Sequence, residues 1–403
     1  MYSKRIVCLL MILSATLAFC SKTEPAPEPS APPPPPEEEN PIYAAKTYKD
    51  KANYVFDLIM KHYRVPGTDF LLENYPQLPG DKPAAYMWSY SGVVTGVGIL
   101  RQLGVNDERF AVIDRGMDKY WSNKYSLTGL ESYPPELGGG TRFYDDNATA
   151  GLDYLENYEA TKNAHFLNQA MKCMEFDYTG ESHDCDGGLF WNEEERHTGT
   201  ANYIKATCSS AFATTLGLKL HQYTKDQKSF DFSKRMYDWL KAKLKDPADG
   251  IYWNDLAIGD CTPNKVKWTY NSGAMLSNAV LLFKITKDQK YLNDAKELAA
   301  ATFKHFTVAS DQVSRKFPDH DAWFNTVLFR GYLDFFEVDP DKNSAYIDAF
   351  IKNADYAWNN ARTSQGFFYE DWSGGKRGRS EWLLHQACMI EVYGRIALYK
   401  NEK

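Results

Sequence analysis

"YEATKNAHFLNQA" (158–170), "QYTKDQKSFDFSK" (222–234) and "KITKDQKYLNDAK" (284–296) are three versions of one phrase. In each, Thr and Lys close a helical pattern, a polar turn follows, and an aromatic or apolar pair opens the next pattern. Thr161, Thr224 and Thr286 mark a step of about 62 residues, long enough for two helices and their loops. Fainter copies begin near Asp107 ("DERFAVIDRG") and Lys342 ("KNSAYIDAFIKNA"), so the chain holds about six such hairpins. The two helices of a unit differ in character. "NSGAMLSNAVLLF" (271–283) and "ATCSSAFATTLGL" (206–218) carry no charge, which predicts burial nearly all round. "YLNDAKELAAATFKHF" (291–306) instead gathers Leu292, Ala295, Ala299, Phe303 and Phe306 on one face, the pattern of an outer helix. Alternating inner and outer helices, repeated in this way, predict an all-α (α/α)6 toroid. Closure requires the last helix to meet the first. "EWLLHQACMIEVYGRIALY" (381–399) reads as the closing inner helix, and "TYKDKANYVFDLIMKHY" (47–63) as an outer one.

The first residues are not part of this pattern. Lys4 and Arg5 precede an apolar run, "IVCLLMILSATLAFC" (6–20), too short for a comfortable membrane span and laid out like a secretory signal. "LAFC" (17–20) resembles a lipobox with Cys20 as the lipidated residue, although Phe19 stands where a small residue is expected. Cleavage after Ala18 and a soluble secreted product is the alternative. "TEPAPEPSAPPPPPEEEN" (23–40) cannot build a core, and its prolines make an extended spacer. The expected organisation is a signal over 1–20, a linker over 21–42 and a helical domain over 43–403. The product should be exported and held by its lipid at a membrane, at the outer membrane or the cell surface, and should act as a monomer. A net charge of −7 without any long Lys/Arg run excludes nucleic acid as a partner. Of seven cysteines, Cys8 and Cys20 fall in the leader. The other five are an odd set without CxxC spacing, which argues against a disulfide framework and leaves room for a single bridge.

Five long segments precede the inner helices: 130–147, 184–203, 250–271, 316–325 and 364–382. Each sets aromatics beside carboxylates or amides, and together they should gather at one mouth of the toroid. Rings that stack on sugars, with polar groups for hydroxyls, suit a carbohydrate chain. Within them, "RFYDDNATAGLDYL" (142–155) puts Asp145 and Asp146 side by side at a helix start. Ordinary helix capping explains such a pair on its own. Glycoside hydrolysis is the sharper reading, because it needs one ionised and one protonated carboxyl, about 5–5.5 Å apart in a retaining enzyme. The helix dipole favours the ionised form of one, and that charge holds a proton on its neighbour.

The same stretch resembles the signature of glycoside hydrolase family 76, the endo-acting α-1,6-mannanases. The likeness continues through "GGLFWN" (187–192), "KATCSSAF" (205–212), "DPADGIYW" (246–253), "WTYNSGAM" (268–275), "VLFRGYLDFF" (327–336) and "DWSG" (371–374). The resemblance implies an endo-acting retaining hydrolase of α-1,6-mannan, with Asp145 as nucleophile and Asp146 as acid/base. It implies a substrate groove lined by Tyr144, Asn147, Trp191, Tyr270, Asn271 and Trp372. Thr149 departs from the large residue common in the family, and "WND" (253–255) leaves open whether Asn254 or Asp255 meets sugar. No cofactor or metal is expected. A calcium loop begun at Asp184 fails at Gly188 and Leu189, and "DHD" (319–321) reads as a loop with a cap. No HExxH, Walker or GxSxG pattern offers another chemistry. The rival readings are another (α/α)6 carbohydrate enzyme, such as an unsaturated glucuronyl hydrolase or sugar epimerase, and a non-catalytic surface glycan-binding lipoprotein.

Overall fold

Thr161, Thr224 and Thr286 each end a helix, and the second residue after each caps the next one. In the computed structural model, which describes residues 45–198, 203–319, 322–375 and 381–402, twelve helices of nine or more residues alternate between two rings. The signal, Cys20 and the linker lie outside the described residues. The inner ring is α2 (Met87–Gln102), α4 (Tyr144–Thr161), α6 (Thr207–Thr224), α8 (Thr269–Thr286), α10 (Ala322–Val338) and α12 (Leu383–Tyr399). The outer ring is α1 (Tyr48–His62), α3 (Phe110–Asp118), α5 (Ala164–Asp177), α7 (Gln227–Lys243), α9 (Gln289–Phe306) and α11 (Ala345–Asn360). Each inner helix packs on the next, and α12 returns to α2. The toroid predicted from the repeat is therefore closed, with α1 lying against α12.

The recurring phrase has one physical explanation at all three sites. Each Thr hydroxyl donates to the carbonyl four residues back, at 2.8, 2.8 and 2.7 Å, and accepts from the amide two residues on, at 3.2 Å. Lys162, Lys225 and Lys287 take left-handed φ values of 57°, 60° and 62°, which turns the chain between the two helices. The side chains of Asn163, Asp226 and Asp288 then cap α5, α7 and α9. Stop, turn and start occupy three consecutive residues.

Inner helices also cross closely where side chains are missing. A Cβ on Gly273 of α8 would stand 2.6 Å from the Leu328 Cα of α10, so only glycine fits at that crossing. Inside the barrel, below the helix starts, charges replace apolar packing. Glu391 of α12 accepts from Arg330 at 2.5 and 2.6 Å and from Arg395 at 2.6 Å, and Arg395 reaches Glu156 of α4 at 2.9 Å. Burial pushes the Glu156 carboxyl up, but Arg395 and Lys219 more than offset this and hold it lowered to about 2. Glu391 is likewise lowered, by Arg330 and Arg395 against its burial. Depressed carboxyls stabilise the fold above their unfolded value near 4.5 and lose that contribution as pH falls towards 2. Glu391→Gln should therefore cost about 3 kcal/mol at pH 7, because it strands the buried Arg330 guanidinium and leaves Arg395 with Glu156 alone. In urea unfolding the deficit should shrink as pH approaches 3; a constant deficit would mean that the network's charge is immaterial.

Small strands decorate the loops before the inner helices: β1 (Asn74–Tyr75), β2 (Trp121–Lys124), β3 (Leu127–Leu130), β4 (Ile204–Ala206), β5 (Trp253–Ala257), β6 (Pro263–Lys267), β7 (Val308–Ser310), β8 (Ser314–Lys316) and β9 (Glu381–Trp382). β4, β5 and β6 form one antiparallel sheet, and β1 pairs with β9, which joins the first loop to the last. The single bridge that the cysteine count left open is Cys185–Cys261. It ties the loop before α6 to the β5–β6 hairpin. Cys173, Cys208 and Cys388 are buried thiols outside that bridge.

Candidate active site

Helix α4 takes its N-cap from Phe143, whose side chain caps nothing, so Asp145 and Asp146 stand inside the first turn rather than at the cap. Neither aspartate is thus the N-cap residue. Asp145 Oδ2 accepts from Trp191 Nε1 at 3.3 Å and from Cys208 Sγ at 3.2 Å, while Oδ1 is buried without a hydrogen-bond partner. Asp146 has no protein hydrogen bond among the described residues and opens onto a cavity of about 720 Å³.

The two carboxyls are electrostatically unequal. Burial raises the Asp145 pKa, and Cys208, Trp191 and the first-turn amides work against the rise. Burial raises Asp146 well above the usual carboxylate range, and the Asp145 charge adds to it with nothing opposing. Asp145 therefore ionises first and Asp146 keeps the proton. Behind them Asp177, at the end of α5, is fully buried with neither oxygen paired, and burial and Asp145 push it well up too. Its burial behind the site favours the neutral acid.

The cavity lies at the mouth where the inner helices begin. Thr149 and Cys208 share its floor with the aspartates, and Trp88, Trp191, Tyr270 and Phe324 stand in its walls. Tyr270 and Phe324 touch with ring centroids 4.3 Å apart, and Trp88 meets Trp323 edge-on at 5.5 Å. An apolar wall above two carboxyls, one charged and one protonated, is the equipment for cleaving a glycosidic bond. The sequence profile described as Glycosyl hydrolase family 76 matches residues 47–402. The chain belongs to that family.

Two solved family 76 structures are similar to it. A family 76 glycoside hydrolase from a bovine Bacteroides thetaiotaomicron strain is 29% identical with a TM-score of 0.80, covering 89% of this chain and 79% of that one. A family 76 mannosidase from Bacteroides thetaiotaomicron VPI-5482 is 26% identical with a TM-score of 0.79, covering 88% and 99%. Over 110 residues the chain is 35% identical to the mannan endo-1,6-alpha-mannosidase DCW1 of Candida glabrata, which is 26% of this chain and 24% of that protein. The match thus spans about a quarter of that relative's length.

Of the residues the sequence assigned to the groove, this family 76 chain brings Trp191 and Tyr270 to the aspartates. The other four lie elsewhere. Tyr144 is fully buried, its ring 4.8 Å from that of Phe176 and its hydroxyl on Thr179. It precedes Asp145 by one residue, so it points about 100° away around the helix. Asn147 is also buried and ties the start of α4 to β3, donating to the Leu130 and Phe143 carbonyls and accepting from the Leu130 amide. Asn271 sits beneath the groove and donates to Asn254 Oδ1 at 3.3 Å. Trp372 packs edge-on against Phe350 at 5.5 Å and borders a separate, small cavity beside Asp371. Asn254 lines the groove, whereas Asp255 is buried and accepts from Asn254 and Asn264. Trp88 and Cys208 were not expected there, whereas Trp323 and Phe324 belong to the segment 316–325 that was expected at the mouth, though neither was named individually. A positional signal connects most of them: Trp88, Asp145, Cys208, Tyr270 and Trp323 are each the second residue of an inner helix.

Proposed function

We propose that this chain is an endo-acting, retaining hydrolase of α-1,6-linked mannan. The observation that carries the reading is the unequal aspartate pair on the floor of an aromatic groove. In the first step Asp145 attacks the anomeric carbon while Asp146 passes its proton to the departing glycosidic oxygen. In the second, Asp146, now ionised, takes a proton from water, the water oxygen displaces Asp145, and both carboxyls return to their starting states. The specificity for α-1,6-mannose is taken from the named activity of the Candida glabrata relative, which is why substrate is the first thing to test. Unbranched α-1,6-mannan incubated with the protein should yield a spread of oligosaccharides early in the reaction. Mannose alone would point to exo-cleavage, and an undegraded polymer would overturn the reading.

Export and anchoring complete the proposal: a signal over 1–20, Cys20 as the lipidated residue, a tether over 21–42 and the catalytic domain from 43 onwards. The Pro-rich run and the Cys185–Cys261 bridge both favour it, since disulfides persist in oxidising compartments. Cys20→Ser should move the protein from the membrane fraction to the soluble fraction. Unchanged fractionation would favour cleavage after Ala18 or some other anchor.

A further inference from the structure

A free thiol at the bottom of a sugar-cleaving groove calls for an explanation. Small buried cysteines usually just fill space. Cys173 and Cys388 do so in this fold, away from the cavity. Cys208 differs in three respects. It is the second residue of α6, the position that faces the mouth in five of the six inner helices. Its Sγ lies 3.2 Å from Asp145 Oδ2, on the oxygen that Trp191 also holds. The Tyr270 hydroxyl of α8, which donates to Asn254 Oδ1 at 3.4 Å, lies in the same cavity wall, so the thiol faces the groove from a packed helix.

We propose that Cys208 is a positioning residue whose thiol donates to Asp145 Oδ2, fixing the attacking carboxylate in its rotamer and favouring its ionised form. The proposal rests on Asp145 being the nucleophile. Burial and the neighbouring Asp145 charge push the thiol's own pKa well up, so it stays protonated and can only donate. Every acidic group facing Asp145 works the other way: Asp146 on its own helix, Asp177 at the end of α5 and the Tyr270 phenol on α8. Against them, among the described residues, stand two side-chain donors, Cys208 and Trp191, together with the first-turn amides. Trp191 is more than a third exposed and lies on a loop, whereas Cys208 sits on a packed helix. The thiol is therefore the rigid half of the pair. A donor to a carboxylate stabilises the anion, so losing it raises the pKa at which Asp145 becomes competent. The same donor aids the second step, when the carboxylate leaves the sugar and its charge reappears.

The test compares Cys208→Ala, which removes the donor, with Cys208→Ser, which keeps one. In Cys208→Ala the acid limb of kcat/KM on α-1,6-mannan should move to higher pH by roughly half to one unit. Its kcat should fall about tenfold, with KM little changed. Cys208→Ser should return the limb to within a few tenths of a unit of the parent. Should the cavity in the alanine variant unfold the chain, Cys208→Val restores bulk without a donor and takes its place. Carbon-13 NMR titration of the Asp145 carboxyl, assigned with Asp145→Asn, reads the same shift without any substrate. This separates failure of the present inference from failure of the mannanase reading. An Asp145 titration unchanged in the alanine or valine variant, or a serine variant displaced as far as alanine, would overturn the role and leave Cys208 as packing.

Discussion

Asp145→Ala and Asp146→Ala should each fold as the parent does and lose at least about a hundredfold in turnover of α-1,6-mannan, the scale of nucleophilic or acid/base assistance. The two losses should differ in kind. Azide added to Asp145→Ala can enter the space left by the carboxylate and attack the face it occupied, which gives a β-mannosyl azide. In Asp146→Ala the nucleophile survives, and azide can intercept the covalent ester to give the α-azide. A substrate whose leaving group needs no proton should restore the first step in Asp146→Ala but not in Asp145→Ala. The reverse pattern would exchange the two roles, and near-parental turnover in either variant would remove that residue from the chemistry.

Stability should move the opposite way from activity. Both aspartates have pKa values raised by burial, so their ionised forms disfavour the folded state. The sign follows from linkage. A carboxyl raised in the folded state contributes no penalty below its unfolded pKa, near 3.8, and a growing one as pH rises past it. Asp146→Asn should therefore melt at or above the parent temperature at pH 7, with the difference vanishing towards pH 3. Such an exchange of stability for function is common where a site holds like charges out of water.

How much of this was legible before the coordinates depends on what each residue type must do. The Thr-Lys-Asx junctions are legible because stop, turn and cap each demand particular side chains on adjacent residues, and three copies show the period. The ring follows from the alternation of uncharged stretches such as 206–218 and 271–283 with amphipathic ones such as 291–306. Asp145 and Asp146 are legible through the ordered family 76 motifs around them, since two adjacent carboxyls at a helix start would by themselves read as ordinary capping. The rest of the groove depends on the rotation of each inner helix. An error of one residue in a helix start turns every side chain by about 100°. That is why Tyr144, Asn147 and Asn271, each next to or near a groove residue in sequence, face elsewhere. Trp372 sits in a loop without periodicity, so no pattern could orient it. Reading the second position of each inner helix would have found Trp88, Cys208 and Trp323, but only with starts placed to the residue.

Retention of configuration is the expectation that most directly tests how the pair divides its work. An inverting enzyme admits a water between its carboxyls, which requires a separation of roughly 6.5–9.5 Å. Asp145 and Asp146 are consecutive in the first turn of α4, and Asp145 is further pinned by Trp191 and Cys208, so the two cannot easily open such a gap. The strong field of Asp145 on Asp146 is the electrostatic counterpart of that closeness. Double displacement through a mannosyl ester on Asp145 is the consequence, and the first-formed reducing end should be α. Proton NMR of the products, recorded before mutarotation mixes the anomers, reads this directly. A β anomer would require a second carboxylate across the groove, and Asp255, buried behind Asn254, is one candidate. In that event one member of the aspartate pair would serve only to raise the pKa of the other.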